Sequence, residues 1–201
     1  MSGTDTAVAA LRRGELVVLP TDTVYGLACT AVSETAAVDL YRLKGRTAVQ
    51  PTAVIFAGLD ALLASVPDLG EAATAAVRTL LPGPYTLVVP NPSGRFAWLN
   101  AGRQDAVGVR VPVLPPVAAE IVAAAGPVVA TSANLPGEPD PRRLADVPAA
   151  IRRGVAVAVD GGELPGTPST VLDLTGPEPV VLRAGAADPE AALRMIAAAL
   201  R

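Results

Sequence analysis

The sequence of 201 residues contains no histidine, and that absence excludes more chemistry than any single residue present suggests. Nucleophilic catalysis of the Ser-His-Asp or Cys-His type needs a base that titrates near neutrality, and nothing else in those templates supplies one. One cysteine, Cys29, cannot form an internal disulfide. Without histidine the usual zinc and transition-metal sets also lack ligands, so any metal is expected to be a hard ion held by oxygens. Aromatic residues are 3% of the chain and the net charge is -3, which argues against a long basic track with stacking platforms for nucleic acid. No apolar run reaches the roughly 18 residues that span a bilayer. The opening Met1-Ser2-Gly3-Thr4-Asp5-Thr6 has neither the basic nor the apolar region of a secretory signal, so a cytoplasmic location away from membranes is expected.

What is present is a core. Apolar residues make up 51% of the chain, mostly Ala, Val and Leu in short runs broken by Gly and Pro. The β-branched runs Glu15–Pro20, Thr52–Ala57, Tyr85–Pro90, Val107–Val111, Pro127–Thr131, Val155–Asp160, Thr170–Leu174 and Val180–Leu182 read as strands. Between them, Thr6–Arg13, Ser33–Lys44, Asp68–Leu80, Pro115–Ala124, Pro148–Arg152 and Pro189–Leu200 read as helices. Ser33 suits an N-cap, Asp68 with Glu71 a capping box, Pro189 the first helical position, and Gly14 and Gly45 the positions just past helix ends. This alternation predicts an α/β fold: a single domain, residues 1–201, on an open twisted mixed sheet with flanking helices. No composition shift, low-complexity linker or internal repeat divides it. Pro136–Pro141 and Gly161–Pro168 are the loosest segments, each after an apolar strand where such folds place ligand-binding loops.

Neither phosphate-binding glycine signature is present, so a nucleotide would have to bind in another way. Polar residues instead gather at the ends of strands and helices. In Pro20-Thr21-Asp22-Thr23-Val24-Tyr25-Gly26-Leu27 hydroxyls can orient a small polar ligand beside a glycine, although a tight turn capping its own backbone explains the same residues better on local grounds. In Lys44-Gly45-Arg46 two cations can converge on phosphate oxygens, but complementing the helix dipole is the commoner use. Ser132-Ala133-Asn134 offers uncharged donors and acceptors, or an ordinary turn before Pro136-Gly137, with little to choose between the two. Arg110 and Arg183 sit in apolar runs where a buried guanidinium needs an anion, whether a protein carboxylate or a ligand.

Taken in order, these segments resemble the YrdC-like threonylcarbamoyl-AMP synthases in their short form. The resemblance rests on Pro20–Leu27, Lys44-Gly45-Arg46, Pro82-Gly83-Pro84-Tyr85-Thr86, Val109-Arg110-Val111-Pro112, Ser132-Ala133-Asn134, Ser169-Thr170-Val171 and Leu182-Arg183-Ala184-Gly185, and runs through nearly the whole chain. It implies a concave polar groove on the sheet. It also implies ATP, magnesium, L-threonine and bicarbonate as ligands, with the product passed to an adenosine of tRNA by threonylcarbamoyl-transferase partner proteins. Carried over by position, Thr23, Arg110 and Ser169 would hold L-threonine, with Arg110 on its carboxylate. Lys44, Arg46, Gln50, Thr86, Ser132, Asn134 and Arg183 would hold ATP, Lys44 and Arg46 being the catalytic cations, and no side chain is assigned to a metal. The sequence departs from the family pattern after Arg46, where Thr47-Ala48-Val49-Gln50-Pro51-Thr52 replaces the usual Pro-x-x-Asn/Lys-Pro-Leu and Ile55 stands near a frequent histidine. Those departures bear on amino-acid specificity. Two other readings stay open: a carbamoyl-phosphate-dependent carbamoyltransferase, against which the length and the single cysteine count, and a noncatalytic RNA-binding module, against which the acidic charge counts.

Overall fold

Short Val- and Leu-rich runs bounded by Pro, Gly and Thr are too brief to stand alone. In the computed structural model, which describes residues 3–45, 52–100 and 102–201, they pair into one nine-stranded sheet. The strands are β1 (Val17–Pro20), β2 (Tyr25–Thr30), β3 (Ala53–Ile55), β4 (Tyr85–Pro90), β5 (Ala106–Arg110), β6 (Val128–Ser132), β7 (Val157–Ala158), β8 (Thr170–Asp173) and β9 (Val180–Arg183), in spatial order β7-β1-β2-β6-β3-β5-β4-β8-β9. Pairing is mixed. β1 runs parallel to β7, β3 to β5 and β4 to β8, while the remaining neighbours are antiparallel. The helices are α1 (Gly3–Arg12), α2 (Glu34–Lys44), α3 (Leu59–Ser65), α4 (Glu71–Leu80), α5 (Pro116–Ala125), α6 (Ala149–Arg153) and α7 (Pro189–Ala199). Among the described residues no helix is long and apolar enough to cross a membrane.

Side chains alternate across a strand, and here the alternation sorts residues into two unequal layers. One face carries Leu27, Cys29, Val54, Leu87, Val89, Val107, Val109, Val129 and Leu172 and is packed by α2, α3, α4, α6 and α7. The opposite face carries Val17, Leu19, Ala28, Ile55 and Val128 and, among the described residues, is packed by helices α1 and α5 alone, so these cover it only toward the β1 side. Beyond α5 that face presents Gly26, Ala53, Thr86, Val88, Gly108, Arg110, Ala130, Ser132 and Val171 to a groove. The position of the site thus follows from which half of one sheet face lacks a helix.

The α/β reading and the mixed open sheet agree with this architecture, and differences fall where local signals compete. β2 was not expected as a strand, because five of its six residues are buried on both faces and its Gly-Leu-Ala-Cys run shows no polar alternation. α3, with seven residues, is too short to display a helical period. The Asp68 capping box does not form: α4 begins at Glu71 after Gly70, and Asp68 (φ 63°) and Gly70 (φ 78°) turn the chain so that no side chain caps the helix. Ser33, in contrast, caps α2 by accepting from the Ala36 N–H at 3.2 Å, and Asp188 caps α7 with Pro189 at the first helical position. β7 shrinks to Val157 and Ala158, the two residues that find partners on β1.

Candidate active site on the open half of the sheet

The groove has a volume of about 370 Å³, with a floor of small residues, Gly26, Ala53, Gly108 and Ala130, and walls of hydroxyls and guanidiniums. The two glycines leave little room for a side chain. A Cβ on Gly108 would stand 3.3 Å from the Ala53 Cα, and one on Gly26 would stand 3.4 Å from the Thr21 methyl. A larger, shallower depression of about 820 Å³ lies between Arg13, Glu15, Asp39 and Arg42. Its charges are engaged with one another, Arg13 with Glu15 and Arg42 with Asp39, each at 2.7 Å. It offers a ligand little that is not already used.

One wall of the groove is the turn between β1 and β2. Thr21 locks it: its hydroxyl donates to the Val24 carbonyl at 2.6 Å and accepts from the Thr23 and Val24 N–H groups, both at 3.2 Å. Thr23 is thereby buried against the groove, its hydroxyl 3.1 Å from that of Thr21. From the same turn the Asp22 carboxylate accepts from Arg110 Nη2 at 2.7 Å.

The facing wall is β4, β8 and β9. Thr86 and Ser169 share a hydroxyl–hydroxyl bond of 2.8 Å, and Arg183 donates through Nη2 to the Ser169 carbonyl at 2.8 Å and to its hydroxyl at 3.2 Å. Burial pulls the Arg183 guanidinium below its ordinary pKa, the charge of Asp140 opposes that, and the charge of Arg110 adds to it. The two guanidiniums are close enough to feel one another, with Asp22 paired to Arg110 and the charge of Asp140 acting on Arg183.

Ser132 and Asn134 follow β6 and are held from behind by Lys44. The Lys44 ammonium, 1% exposed at the end of α2, donates to the Ser132 carbonyl at 2.6 Å, the Asn134 carbonyl at 2.5 Å and the Asn134 side-chain oxygen. Ser132 in turn donates to that same amide oxygen at 2.6 Å. An ammonium has three protons, and these contacts direct Lys44 into this loop. Of the residues expected to hold ATP, Thr86, Ser132 and Arg183 line the groove, while Lys44 and Asn134 support it from the second layer. Arg46 and Gln50 lie outside the described residues, as do the departures from Thr47 to Pro51. Of those expected to hold threonine, Thr23, Arg110 and Ser169 all line the groove.

The segments Pro136–Pro141 and Gly161–Pro168, read from the sequence as the loosest, are fastened to the site. The Tyr25 N–H donates to the Pro141 carbonyl at 2.9 Å, Gly166 N–H to the Thr23 carbonyl at 2.8 Å and Leu164 N–H to the Arg142 carbonyl at 2.8 Å. Tyr25 is buried under them, its hydroxyl donating to the Gly162 carbonyl at 2.8 Å and lying 3.0 Å from Asp160. Burial raises the Tyr25 pKa, so it remains a donor. Asp140 and Pro168 reach the groove from these segments, and Thr52, Asn100 and Arg103 complete it from the loops bordering β3 and β5. Asp140 and Pro168 lie in the two segments that the sequence marked as ligand-binding loops and Thr52 ends the departure from the family pattern, whereas Asn100 and Arg103 were not singled out. The available signal was their place beside alternating small residues on strands, a pattern that marks an uncovered sheet face.

Comparison with known proteins fixes the family. The Sua5_yciO_yrdC family model, described as "Telomere recombination", matches residues 9–185. The chain belongs to this family. A member from Pyrococcus abyssi named threonylcarbamoyl-AMP synthase is 36% identical over 180 residues, covering 89% of this chain and 53% of the relative, so the chain spans about half of that protein's length. A member of the same name from Chromohalobacter salexigens is 38% identical over 174 residues, covering 86% of this chain and 92% of the relative. The crystal structure of P. abyssi Sua5 complexed with L-threonine superposes with a TM-score of 0.84 at 32% identity, covering 98% of this chain and 58% of that one. The open mixed sheet with flanking helices is therefore the fold of the Sua5/YciO/YrdC family.

Proposed function

We propose that the chain is an L-threonylcarbamoyladenylate synthase, a nucleotidyltransferase that forms threonylcarbamoyl-AMP and pyrophosphate from L-threonine, bicarbonate and ATP. The observation that carries this is the convergence of Thr23, Arg110 and Ser169 with Thr86, Ser132 and Arg183 in one groove. The fold is that of a relative crystallised with L-threonine, and close relatives bear the synthase name.

In this reading Arg110 pairs the threonine carboxylate while Thr23 and Ser169 orient the rest of the amino acid. The amine, having lost a proton to solvent, bonds to the bicarbonate carbon with loss of water and gives a carbamate. A carbamate oxygen then bonds to the α-phosphorus as the bond to the β-phosphate oxygen breaks and pyrophosphate leaves. Arg183, with Thr86 and Ser132, faces the charge that develops on the phosphates, so catalysis rests on proximity and preorganised electrostatics instead of a strong base. No histidine is required for such a division of labour. The groove lining offers a metal few carboxylates, Asp140 being the acidic residue among the described ones. That donor set fits magnesium carried on ATP oxygens, where it would offset phosphate charge. Use of the product in tRNA threonylcarbamoyladenosine modification, transfer by partner proteins and a cytoplasmic setting belong to the same proposal.

The test is incubation of the purified protein with ATP, magnesium, bicarbonate and each amino acid in turn, with mass spectrometry of the products. Threonylcarbamoyl-AMP and pyrophosphate are expected with threonine. Product from another amino acid would transfer the reading to that substrate, and product from carbamoyl phosphate alone, or none at all, would overturn it.

A further inference from the structure

We propose that Asp22 is a positioning residue for Arg110: it holds one guanidinium nitrogen across the groove so that the Nη donors it does not engage are presented to the α-carboxylate of the amino-acid substrate. The inference rests on the assignment of Arg110 to that carboxylate.

Asp22 sits at the tip of the β1–β2 turn and Arg110 at the end of β5, with β6 and β3 between the two hairpin strands and β5 in the sheet. The 2.7 Å bond from Arg110 Nη2 to Asp22 Oδ1 therefore runs over the end of two intervening strands. It is sheltered, the two side chains being 12% and 9% exposed. Arg110 lines the groove while Asp22 does not, so Asp22 acts through the arginine.

The form of the bond separates positioning from simple stabilisation. A bridge that serves the fold best is forked, with both carboxylate oxygens on two guanidinium nitrogens. This one has a single contact, and the Asp22 Oδ2 and Arg110 Nε atoms are both buried without a hydrogen-bond partner among the described residues. Leaving such atoms unsatisfied costs free energy. What the pair does achieve is to fix an otherwise flexible arginine. An arginine held in place loses less rotamer freedom when a ligand arrives, which strengthens binding without a new contact. Asp22 is itself held, because its Oδ1 also accepts from the Thr23 hydroxyl at 3.4 Å within the turn that Thr21 locks.

The experiment is calorimetric titration of L-threonine into the full chain, with KM values for threonine and ATP measured alongside. Asp22→Ala is expected to raise the threonine Kd and KM by about tenfold or more while the ATP KM stays within about twofold. Asp22→Asn, which retains an acceptor without the charge, is expected to fall between wild type and Asp22→Ala. In Asp22→Ala combined with Arg110→Ala, threonine should bind no more weakly than in Arg110→Ala alone. Unchanged or tighter threonine binding in Asp22→Ala, additive losses in the double variant, or equal losses for ATP and threonine would overturn the role of Asp22. If Asp22→Ala does not fold, the same criteria apply to Asp22→Asn. Unchanged threonine binding in Arg110→Ala would instead overturn the parent assignment. A loss in Arg110→Ala with none in Asp22→Ala removes the role of Asp22 and leaves the carboxylate assignment standing.

Discussion

A lysine at a helix end next to a glycine and an arginine looks, in sequence, like a phosphate ligand. Its ammonium also has a structural task. Lys44 gathers three acceptors, the Ser132 and Asn134 carbonyls and the Asn134 amide oxygen that Ser132 also serves, into one cluster around its ammonium. Asn134 then donates to the Glu138 carbonyl at 2.5 Å, so the loop after β6 is organised from the lysine outward and Ser132 is presented to the groove. Lys44→Ala should therefore cost stability as well as activity. Removing the only ammonium from such a cluster is expected to lower the unfolding free energy by about 3 kcal/mol, readable in urea denaturation. A variant with wild-type stability and lost adenylate formation would return Lys44 to direct contact with the phosphates. The residue type and its place after a helix were legible in the sequence; the direction of its side chain depends on β6, 88 residues away, and was not.

At the scale of elements, what could be read locally was read correctly where one residue decides the outcome. Ser33 and Gly45 both bound α2 as their chemistry predicts. The Gly45 N–H donates to the Arg42 carbonyl at 3.1 Å with φ at 69°, a conformation in which a Cβ is strained. β2 escaped because its run of buried residues carries no polar alternation, and the groove, expected only through the family resemblance, left little local signal because its floor is small residues drawn from four strands, Gly26, Ala53, Gly108 and Ala130. The two ends of α2 separate stability from function. Ser33→Ala and Gly45→Ala should each cost about 1 kcal/mol in unfolding experiments, the first through a lost cap and the second through left-handed strain. Only Gly45→Ala should also lower turnover, because Gly45 sets the path of the chain leaving Lys44. Equal activity in the two variants would show that α2 contributes to the site through its stability alone.

The molecule as a whole is asymmetric: helices pack along one sheet face up to the exposed edge strand β9 and over only part of the other, leaving a polar groove over a dry core. Cys29 lies in that core on β2, an interior strand, and is fully buried. Burial, with a smaller contribution from the charge of Asp39, pushes its pKa from 9.0 up to about 12. A thiol whose folded pKa is raised binds its proton more tightly in the native state. The stability it contributes is fully present below pH 9 and is lost as the pH rises from 9 toward 12, at about 1.4 kcal/mol per pH unit once the unfolded thiol is ionised. Tyr25 and Tyr85, also raised by burial, ionise in the unfolded chain over the upper part of the same interval and must be separated from the thiol. Urea unfolding of the wild type and of Cys29→Ala between pH 8 and 11 makes that separation, because the tyrosine contribution is common to both. The Ala variant should begin less stable, from the lost packing, and then lose stability less steeply, so that the gap between the two narrows with pH. Parallel curves would mean that the thiol ionises as readily in the folded sheet as in the unfolded chain, and that the covered face admits water at β2.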